Sequence, residues 1–225
     1  AEWLRLKKEI AWLNGPLGAA RDSDVVVEYA RRKRYRAWAE RMVGDQLDQH
    51  QTRDHRRLVR SLRSARTQRL VAAIARWIRQ GPWLERYKRR KDAETLQSYC
   101  ARELDRWHER LIRKGQHLKT LGASRRHRLR IRVKRFRYML EALTETVALR
   151  GRGEVHHLHR PAKRLQRALG DLRDLNRFAG LASGSPQAEN GKQGKKHPPG
   201  YRHREEKLLG AAIAAHRDLK YAEVC

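Results

Sequence analysis

Apolar residues recur along most of the chain at intervals of three and four, the spacing that places side chains on one face of an α-helix. The strand signal is weak, because the one run of β-branched residues, 25–27, lies inside such a helical pattern. The pattern predicts helices over about 2–14, 19–41, 46–80, 92–117, 124–149, 155–181 and 202–222. We therefore predict an all-α protein built from helical bundles.

Glycine and proline separate these helices at 14–16, 81–82, 122 and 151–153. A longer interruption, residues 183–200, is rich in Gly, Pro, Ser and Lys, and its composition predicts a flexible loop. One hexapeptide pattern occurs twice, because Leu17-Gly18-x-x-Arg21-Asp22 returns as Leu169-Gly170-x-x-Arg173-Asp174. The four identities indicate either an internal duplication, which predicts two similar bundles, or a chance match in an arginine-rich chain.

The chain is strongly basic, with 54 Lys and Arg against 25 Asp and Glu and a formal net charge of +29. The excess is largest between residues 51 and 150. Like charges at this density repel one another, and an anionic partner is expected to neutralise them. Nucleic acid, an acidic membrane surface, an acidic protein and a phosphate polymer all meet that requirement, and charge alone does not distinguish them.

The segment 124–149 combines an apolar face with a cationic one. The apolar positions are Leu129, Val133, Phe136, Leu140 and Leu143. The roughly opposite positions, spaced by three and four, are His127, Arg130, Lys134, Arg137 and Glu141. Because each helical turn of about 5.4 Å offers another donor, this stripe suits a linear polyanion. Most charged stripes are solvated surfaces, but no acidic residue interrupts this one before Glu141, so pairing between turns does not account for it.

The segment 155–181 repeats this design. Its apolar positions are Leu158, Ala162, Leu165, Leu169 and Leu172. Its cationic positions are Arg160, Lys163 and Arg167, with His156 one turn earlier. Pro161 fits only the first turn of a helix or a kink, which leaves open whether His156 belongs to the helix. A third stripe, Arg53, Arg56, Arg57, Arg60 and Arg63, is as typical of a solubilising surface as of a binding site.

Motifs for catalysis are absent from the sequence. It contains no glycine-rich phosphate loop, no Gly-x-Ser-x-Gly and no His-Glu-x-x-His, so we predict a protein that is not an enzyme. Three histidines fall within 156–159, but the basic residues at 160–164 repel a divalent cation, so no metal and no other cofactor is predicted. Cys100 and Cys225 are far apart, which indicates a reducing, cytoplasmic compartment. The longest nearly apolar stretch, 208–215, is too short to span a membrane.

The basic stripe and the repeated hexapeptide together resemble a known family. The pattern His127-x-x-Arg130-x-x-x-Lys134-x-x-Arg137-Tyr138-x-x-Glu141, followed by Leu165-Gln166-x-x-Leu169-Gly170-x-x-Arg173-Asp174, resembles the CHAD domain, the conserved histidine α-helical domain. Residues 12–25 are similar to the matching piece of its first half, and residues 62–77 to its middle. The resemblance covers nearly the whole chain.

The resemblance implies one CHAD-like domain over 1–225, with two four-helix bundles related by a pseudo-twofold axis. Basic helices would line a groove or pore that binds inorganic polyphosphate without catalysis, in association with cytoplasmic polyphosphate granules. The residues implied in binding are His127, Arg130, Lys134, Arg137, Arg160, Lys163 and Arg167, with His156 as a further candidate.

The first repeat departs from the family pattern, because its basic opening helix would fall before residue 1. We therefore expect repeats over 1–121, incomplete at its start, and over 122–225, with an upstream segment or a partner chain supplying the missing helix. The offset between the two hexapeptides aligns Lys8 with Arg160 and Ala11 with Lys163. Lys8, with Arg5 nearby, is the expected contribution of the first repeat.

The alternative function is nucleic-acid binding by a helical protein, and we expect such binding to be non-specific. No helix-turn-helix or zinc-finger pattern stands out, and the basic stripes carry few aromatic residues for base stacking, Tyr138 being the exception. An enzyme acting on polyphosphate would need an acidic metal cluster among the basic residues, and Glu141 alone is not a cluster.

Overall fold

A computed structural model describes residues 2–44, 46–84, 96–145, 154–181 and 197–222. Within these ranges every regular element is an α-helix. The helices are α1 (Glu2–Arg31), α2 (Arg36–Met42), α3 (Gln46–Arg63), α4 (Ala65–Gln80), α5 (Leu96–Gly115), α6 (Ala123–Glu145), α7 (Glu154–Leu181) and α8 (Tyr201–Tyr221). The prediction of an all-α fold is confirmed.

The chain forms two compact units, Ala1–Ala93 and Glu94–Cys225. Helices α1 to α4 belong to the first unit and α5 to α8 to the second. The repeats expected from the sequence meet at 121/122, which assigns α5 to the first repeat, whereas in the structure α5 packs with α6 and α8 in the second unit. The repeat bounds and their pseudo-twofold relation stay predictions.

In the first unit, α1 contacts each of the other three helices. Trp3 of α1 stacks on Trp77 of α4 with 5.4 Å between ring centroids. Further along α1, both carboxylate oxygens of Glu9 accept hydrogen bonds from Arg66. The start of α1 therefore meets the end of α4, and the two helices run antiparallel.

The predicted break at 14–16 is wrong, because α1 continues through it. Pro16 lacks a backbone donor and crowds the carbonyl of Trp12, which disfavours an isolated helix at this point. In the structure Pro16 is buried, as are Leu6 and Ala20 on either side of it. Packing against α3 and α4 thus stabilises a helix that local preference would end.

The predicted helix 19–41 is divided by a turn between Arg31 and Arg36. Residues 31–36 are basic at every position except Tyr35, and repulsion between successive turns disfavours a continuous helix. The turn also lets Tyr35 be buried, with its ring stacked 6.1 Å from that of Tyr29. Repulsion and aromatic burial therefore both favour the turn.

The predicted helix 46–80 is also divided, at Ser64. The Ser64 hydroxyl accepts a hydrogen bond from the backbone amide of Thr67, which is the geometry of an N-cap for α4. Ser64 has extended backbone dihedrals, so the chain changes direction between α3 and α4. A serine inside an apolar-periodic run was the available signal for this boundary.

The second unit is a four-helix bundle in which α5 packs on α6, α6 on α7, α7 on α8 and α8 on α5. The core positions predicted on α6 are at most 1% exposed, and they are Leu129, Val133, Phe136 and Leu140. Those predicted on α7 are also buried, and they are Leu158, Ala162, Leu165, Leu169 and Leu172. Both predicted core faces are confirmed, except that the side chain of Leu143 lies outside the described residues.

Two histidines join α5 to α8 by reciprocal hydrogen bonds. Nε2 of His108 donates to the carbonyl of Leu219 at 2.8 Å, and Nε2 of His216 donates to the carbonyl of Ile112 at 3.1 Å. Both carbonyls lie in the last turn of their helices, where no intrahelical donor follows. Each histidine therefore caps the helix opposite its own.

The predicted loop 183–200 lies mostly outside the described residues, which resume at 197. Gly200 has a φ of 68°, in the left-handed region that glycine adopts without strain, and α8 begins directly after it. The end of the predicted loop therefore coincides with a helix start.

Candidate functional site

Helices α6 and α7 are antiparallel neighbours, and their contacts bring the two motifs of the sequence together. Nε of Arg137 donates to Oε1 of Gln166 at 2.9 Å, while His159 bonds to Glu141 further along α6. Towards the start of α6, Arg130 lies against Gly170. The sequence predicted one cationic stripe on each of these helices. We call the Lys and Arg side chains of the two stripes the α6–α7 basic face, and they are Arg130, Lys134, Arg137, Arg160, Lys163 and Arg167.

Arg137 is held in place by contacts on both helices. Its side chain is only 16% exposed, and its guanidinium bonds to Gln166 of α7 and to Glu141 one turn away on α6. The guanidinium also lies 4.6 Å from the ring centroid of Tyr138. The sequence pattern treated Glu141 as the end of an unpaired stripe; in the structure it pairs with Arg137, so part of the stripe is internally neutralised.

One carboxylate oxygen of Glu141 accepts two hydrogen bonds, one from an arginine and one from a histidine. Arg137 donates to Oε1 from within α6, and Nε2 of His159 donates to it across the helix interface at 2.9 Å. The hydrogen bond from His159 and the charges of Arg137 and Lys163 hold the pKa of Glu141 below its ordinary value, against the opposing effect of burial. Glu141 is therefore an ionised carboxylate within the basic face at neutral pH.

Arg130 is positioned by the absence of a side chain at Gly170. A Cβ at Gly170 would lie 3.3 Å from Nε and 3.7 Å from Nη2 of Arg130. Gly170 is buried in the middle of α7, where glycine is unfavourable for helix stability. Gly170, the glycine of the Leu-Gly motif that opens the second hexapeptide, thus provides the space in which the Arg130 side chain lies.

The remaining cations of the basic face extend into solvent. Lys134, between Arg130 and Arg137 on α6, is exposed, with its Nζ 5.4 Å from the Tyr138 ring centroid. On α7, Arg160, Lys163 and Arg167 are all exposed. Both helices therefore supply exposed cations, and α6 adds two partly buried arginines with fixed orientations.

The structure describes the side chain of His127 but only the backbone of His156. The side chain of His127 is partly buried on α6, one turn before Arg130. The backbone of His156 lies within α7, because this helix begins at Glu154 and continues through a buried Pro161. Pro161 left open whether His156 belongs to the helix, and the structure includes it. The side chain of His156 lies outside the described residues.

Lys8 and Arg5 belong to the first unit, where both are exposed on α1. The offset between the hexapeptides aligns Gly18 of α1 with Gly170 of α7. Whereas Gly170 is covered by Arg130, no described atom comes within 4 Å of a Cβ placed at Gly18. Among the described residues, no side chain therefore takes at Gly18 the place that Arg130 takes at Gly170.

Sequence reasoning missed three contributors to the site. His159 was weighed only as a metal ligand, and Gln166 and Gly170 were motif positions without a role. Gln166 and Gly170 are four residues apart and therefore share one side of α7, which was a usable signal. Their partners on α6 required knowledge of the helix pairing, which periodicity does not supply.

The described residues do not indicate a metal site or a membrane span. In the part of the chain that the structure describes, no group of three or more His, Cys, Asp or Glu side chains could hold a metal ion. The described helices also include none that is long and apolar enough to cross a membrane.

The fold and the basic face define an all-helical domain with a cationic surface built on two antiparallel helices. The family model of the CHAD domain matches residues 1–183. The chain therefore belongs to the CHAD family, as its sequence motifs predicted. A search of curated proteins and a search of solved structures each found no match.

Proposed function

We propose that the second unit binds inorganic polyphosphate along the α6–α7 basic face, and that it does so without chemical conversion of the ligand. Membership of the CHAD family supports this proposal, because the family is associated with polyphosphate binding. The observation that carries it is the combination of exposed Lys134 and Lys163 with arginines that Gln166 and Gly170 hold in place.

A linear polyanion fits this arrangement better than a compact anion does. The cations follow the helix axes over several turns, so successive phosphates of one chain contact successive side chains. Arginine offers paired donors to phosphate oxygens, whereas lysine offers a mobile point charge that adapts to the ligand. Binding is therefore cumulative, and added salt weakens it steeply.

Replacement of one lysine on each helix tests the proposal. We expect Lys134→Gln with Lys163→Gln to weaken the affinity for long-chain polyphosphate by about tenfold or more, since each charge-assisted contact contributes on the order of 1 kcal/mol. Affinity is measured by fluorescence anisotropy of labelled polyphosphate at fixed ionic strength. Both lysines are exposed, so the thermal unfolding midpoint should stay close to that of the parent.

The matched control is Lys114→Gln with Lys119→Gln, which changes the net charge equally at two exposed lysines of the same unit. This control should lower the affinity by no more than about twofold, through the general field of the protein. Equal losses for the two double variants would show that polyphosphate responds only to net charge and would contradict the proposed site.

Other parts of the proposal concern the role of the first unit in binding and the location of the protein in the cell. Additional contacts from Lys8 and Arg5, a missing helix supplied by an upstream segment or a partner chain, and association with cytoplasmic polyphosphate granules stay predictions. The substitution Lys8→Gln with Arg5→Gln, measured in the same assay, tests the contribution of α1.

A further inference from the structure

Arg137 is the residue of the basic face whose position conflicts most with a simple binding role. A phosphate must reach the guanidinium, yet the side chain is only 16% exposed. Two of its five N–H donors are used, at Nε by the amide oxygen of Gln166 and at Nη1 by the carboxylate of Glu141. Gln166 is neutral and lies on α7, whereas Glu141 is anionic and lies on the same helix as Arg137. A phosphate that contacts Arg137 while the Glu141 carboxylate is still bound meets repulsion between the two anions, so close contact favours departure of the carboxylate.

Glu141 is the acceptor that is able to leave. Its side chain is 38% exposed, so rotation towards water needs no repacking of the core. A phosphate oxygen can replace its carboxylate in the bonds to Arg137 and His159, because both residues offer N–H donors to any anionic acceptor. When Glu141 leaves, Gln166 still orients Arg137, so the guanidinium keeps its direction.

We propose that Glu141 is an internal counter-anion, which occupies a phosphate position of the α6–α7 basic face in the free protein and is displaced when polyphosphate binds. The inference rests on the proposed function and specifies how the same site is regulated. It also adds His159 to the residues that contact the ligand, because His159 loses its carboxylate partner at the same step.

A tethered carboxylate of this kind sets a threshold for binding. As part of the chain, Glu141 is present at a high effective concentration, of about millimolar order or more, so a small anion with one or two contacts competes poorly with it. A long polyphosphate chain makes further contacts with Lys134, Lys163 and Arg167, and these compensate for the displacement. Competition from Glu141 thus disfavours small anions relative to long polyphosphate, and the site gains specificity by excluding the wrong ligand.

The variant Glu141→Gln tests the inference, because it removes the charge and keeps the size of the side chain. The parent protein must first bind long-chain polyphosphate, and if it does not, the proposed function fails before this inference is reached. Given binding, we expect Glu141→Gln to raise the affinity about fivefold at low salt. Orthophosphate and tripolyphosphate should also compete with labelled polyphosphate at lower concentrations than they need with the parent.

The salt dependence separates displacement from a merely structural role. In the parent, displacement leaves the Glu141 carboxylate unpaired beside the polymer, where it takes up a cation from solution and offsets part of the counterion release. The variant has no such carboxylate, so its slope of log affinity against log salt should be steeper, by up to about 0.9. The variant Glu141→Asp keeps the charge and should keep a slope near that of the parent. A structural effect on Arg137 would lower the affinity in both variants without steepening the slope.

Glu103→Gln is the matched control. Glu103 also pairs with an arginine of its own helix, Arg106 at 2.9 Å, and its replacement changes the net charge by the same amount. We expect this control to leave affinity within about twofold of the parent and the slope unchanged. If the parent binds polyphosphate and Glu141→Gln binds equally or more weakly, with an unchanged slope, Glu141 positions Arg137 and is not displaced, and the inference is overturned.

Discussion

The side chain of Arg130 on α6 lies against the backbone of Gly170 on α7, 3.3 Å from the position that a Cβ would take. The two residues come from different sequence motifs, forty positions apart, and they meet because the helices are antiparallel neighbours. This contact gives a physical reason for a glycine in the middle of a long helix. It also links the Leu-Gly motif of the CHAD domain directly to an arginine of the proposed binding face.

Gly170→Ala is predicted to lower polyphosphate affinity with little change in stability. Alanine favours the helix by up to about 1 kcal/mol, but its methyl group must move Arg130 by a few tenths of an ångström, and the two effects oppose each other. Because this shift changes the direction in which the Arg130 guanidinium meets a phosphate, we expect a loss of about threefold to tenfold in affinity. Chemical denaturation and anisotropy measure the two quantities separately.

Gly18→Ala is the matched control for this substitution. Gly18 lies within α1 and occupies the same motif position, but no described atom lies near its missing Cβ. We expect the full gain of about 0.5 to 1 kcal/mol in stability and no loss of affinity. If Gly170→Ala stabilises equally and binds like the parent, the Arg130–Gly170 contact has no role in binding.

The core of the second unit was predictable from the sequence, whereas the acceptors within the site were not. Val133, Phe136 and Leu165 are buried as their periodicity predicts, because a helix of fixed pitch converts spacing directly into a shared face. The contact between Arg137 and Gln166 depends on which helix lies next to α6 and in which direction. Spacing within one helix contains no information on that pairing.

Helix boundaries in the first unit were predicted less well, for two physical reasons. Local preference ends a helix at Pro16, but burial between neighbouring helices overrides it. Ser64 has the opposite effect, since a local hydrogen bond to the Thr67 amide interrupts a run whose apolar periodicity is continuous. At Pro16 tertiary packing outweighed the local helix-breaking signal, whereas at Ser64 a side-chain cap outweighed the apolar periodicity.

Ser64→Ala is predicted to destabilise the first unit by about 1 kcal/mol. The substitution removes the hydroxyl that accepts from the Thr67 amide and leaves the start of α4 without its cap. Ser64→Asp should retain most of the stability, because a carboxylate at the N-cap accepts the same hydrogen bond and interacts favourably with the helix dipole. Urea denaturation checks both values, and equal stability of the alanine variant and the parent would contradict the assigned cap.

Acid is predicted to weaken the attachment of α8 to α5. Burial lowers the pKa of His216, and the electrostatic effects of Lys220 and His108 act in the same direction, against the hydrogen bond to the Ile112 carbonyl. The unfolded chain therefore binds a proton at higher pH than the folded protein does. The contribution of His216 to stability is complete above the ordinary histidine pKa of about 6.5 and is lost as the pH falls below it.

The measurement is the free energy of unfolding against pH for the parent and for His216→Gln. The glutamine amide can donate to the same carbonyl and does not titrate, so the variant should lose less stability than the parent between pH 7 and 5. The rest of the chain contributes alike to both curves, so the difference between the curves isolates the effect of His216. Parallel curves would show that His216 does not titrate in this range.

Competition between polyphosphate and single-stranded nucleic acid is predicted to favour polyphosphate. The exposed aromatic ring of the basic face is Tyr138, at 49% exposure, and Arg137 and Lys134 already lie near it. A single ring supports stacking with at most one base, whereas sequence-tolerant binding of single strands uses successive aromatic platforms. Long-chain polyphosphate should therefore displace labelled oligo(dT) at matched charge and salt, and the reverse displacement should need a large excess.

The variant Tyr138→Leu decides whether nucleic acid uses this face at all. Loss of a stacking contact costs about 1 to 3 kcal/mol in proteins that bind single strands, so oligo(dT) affinity should fall at least fivefold if Tyr138 stacks on a base. Polyphosphate has no aromatic surface, and its affinity should change by no more than about twofold. If oligo(dT) resists displacement by polyphosphate and Tyr138→Leu selectively weakens it, the nucleic-acid alternative describes this site better than the proposed one.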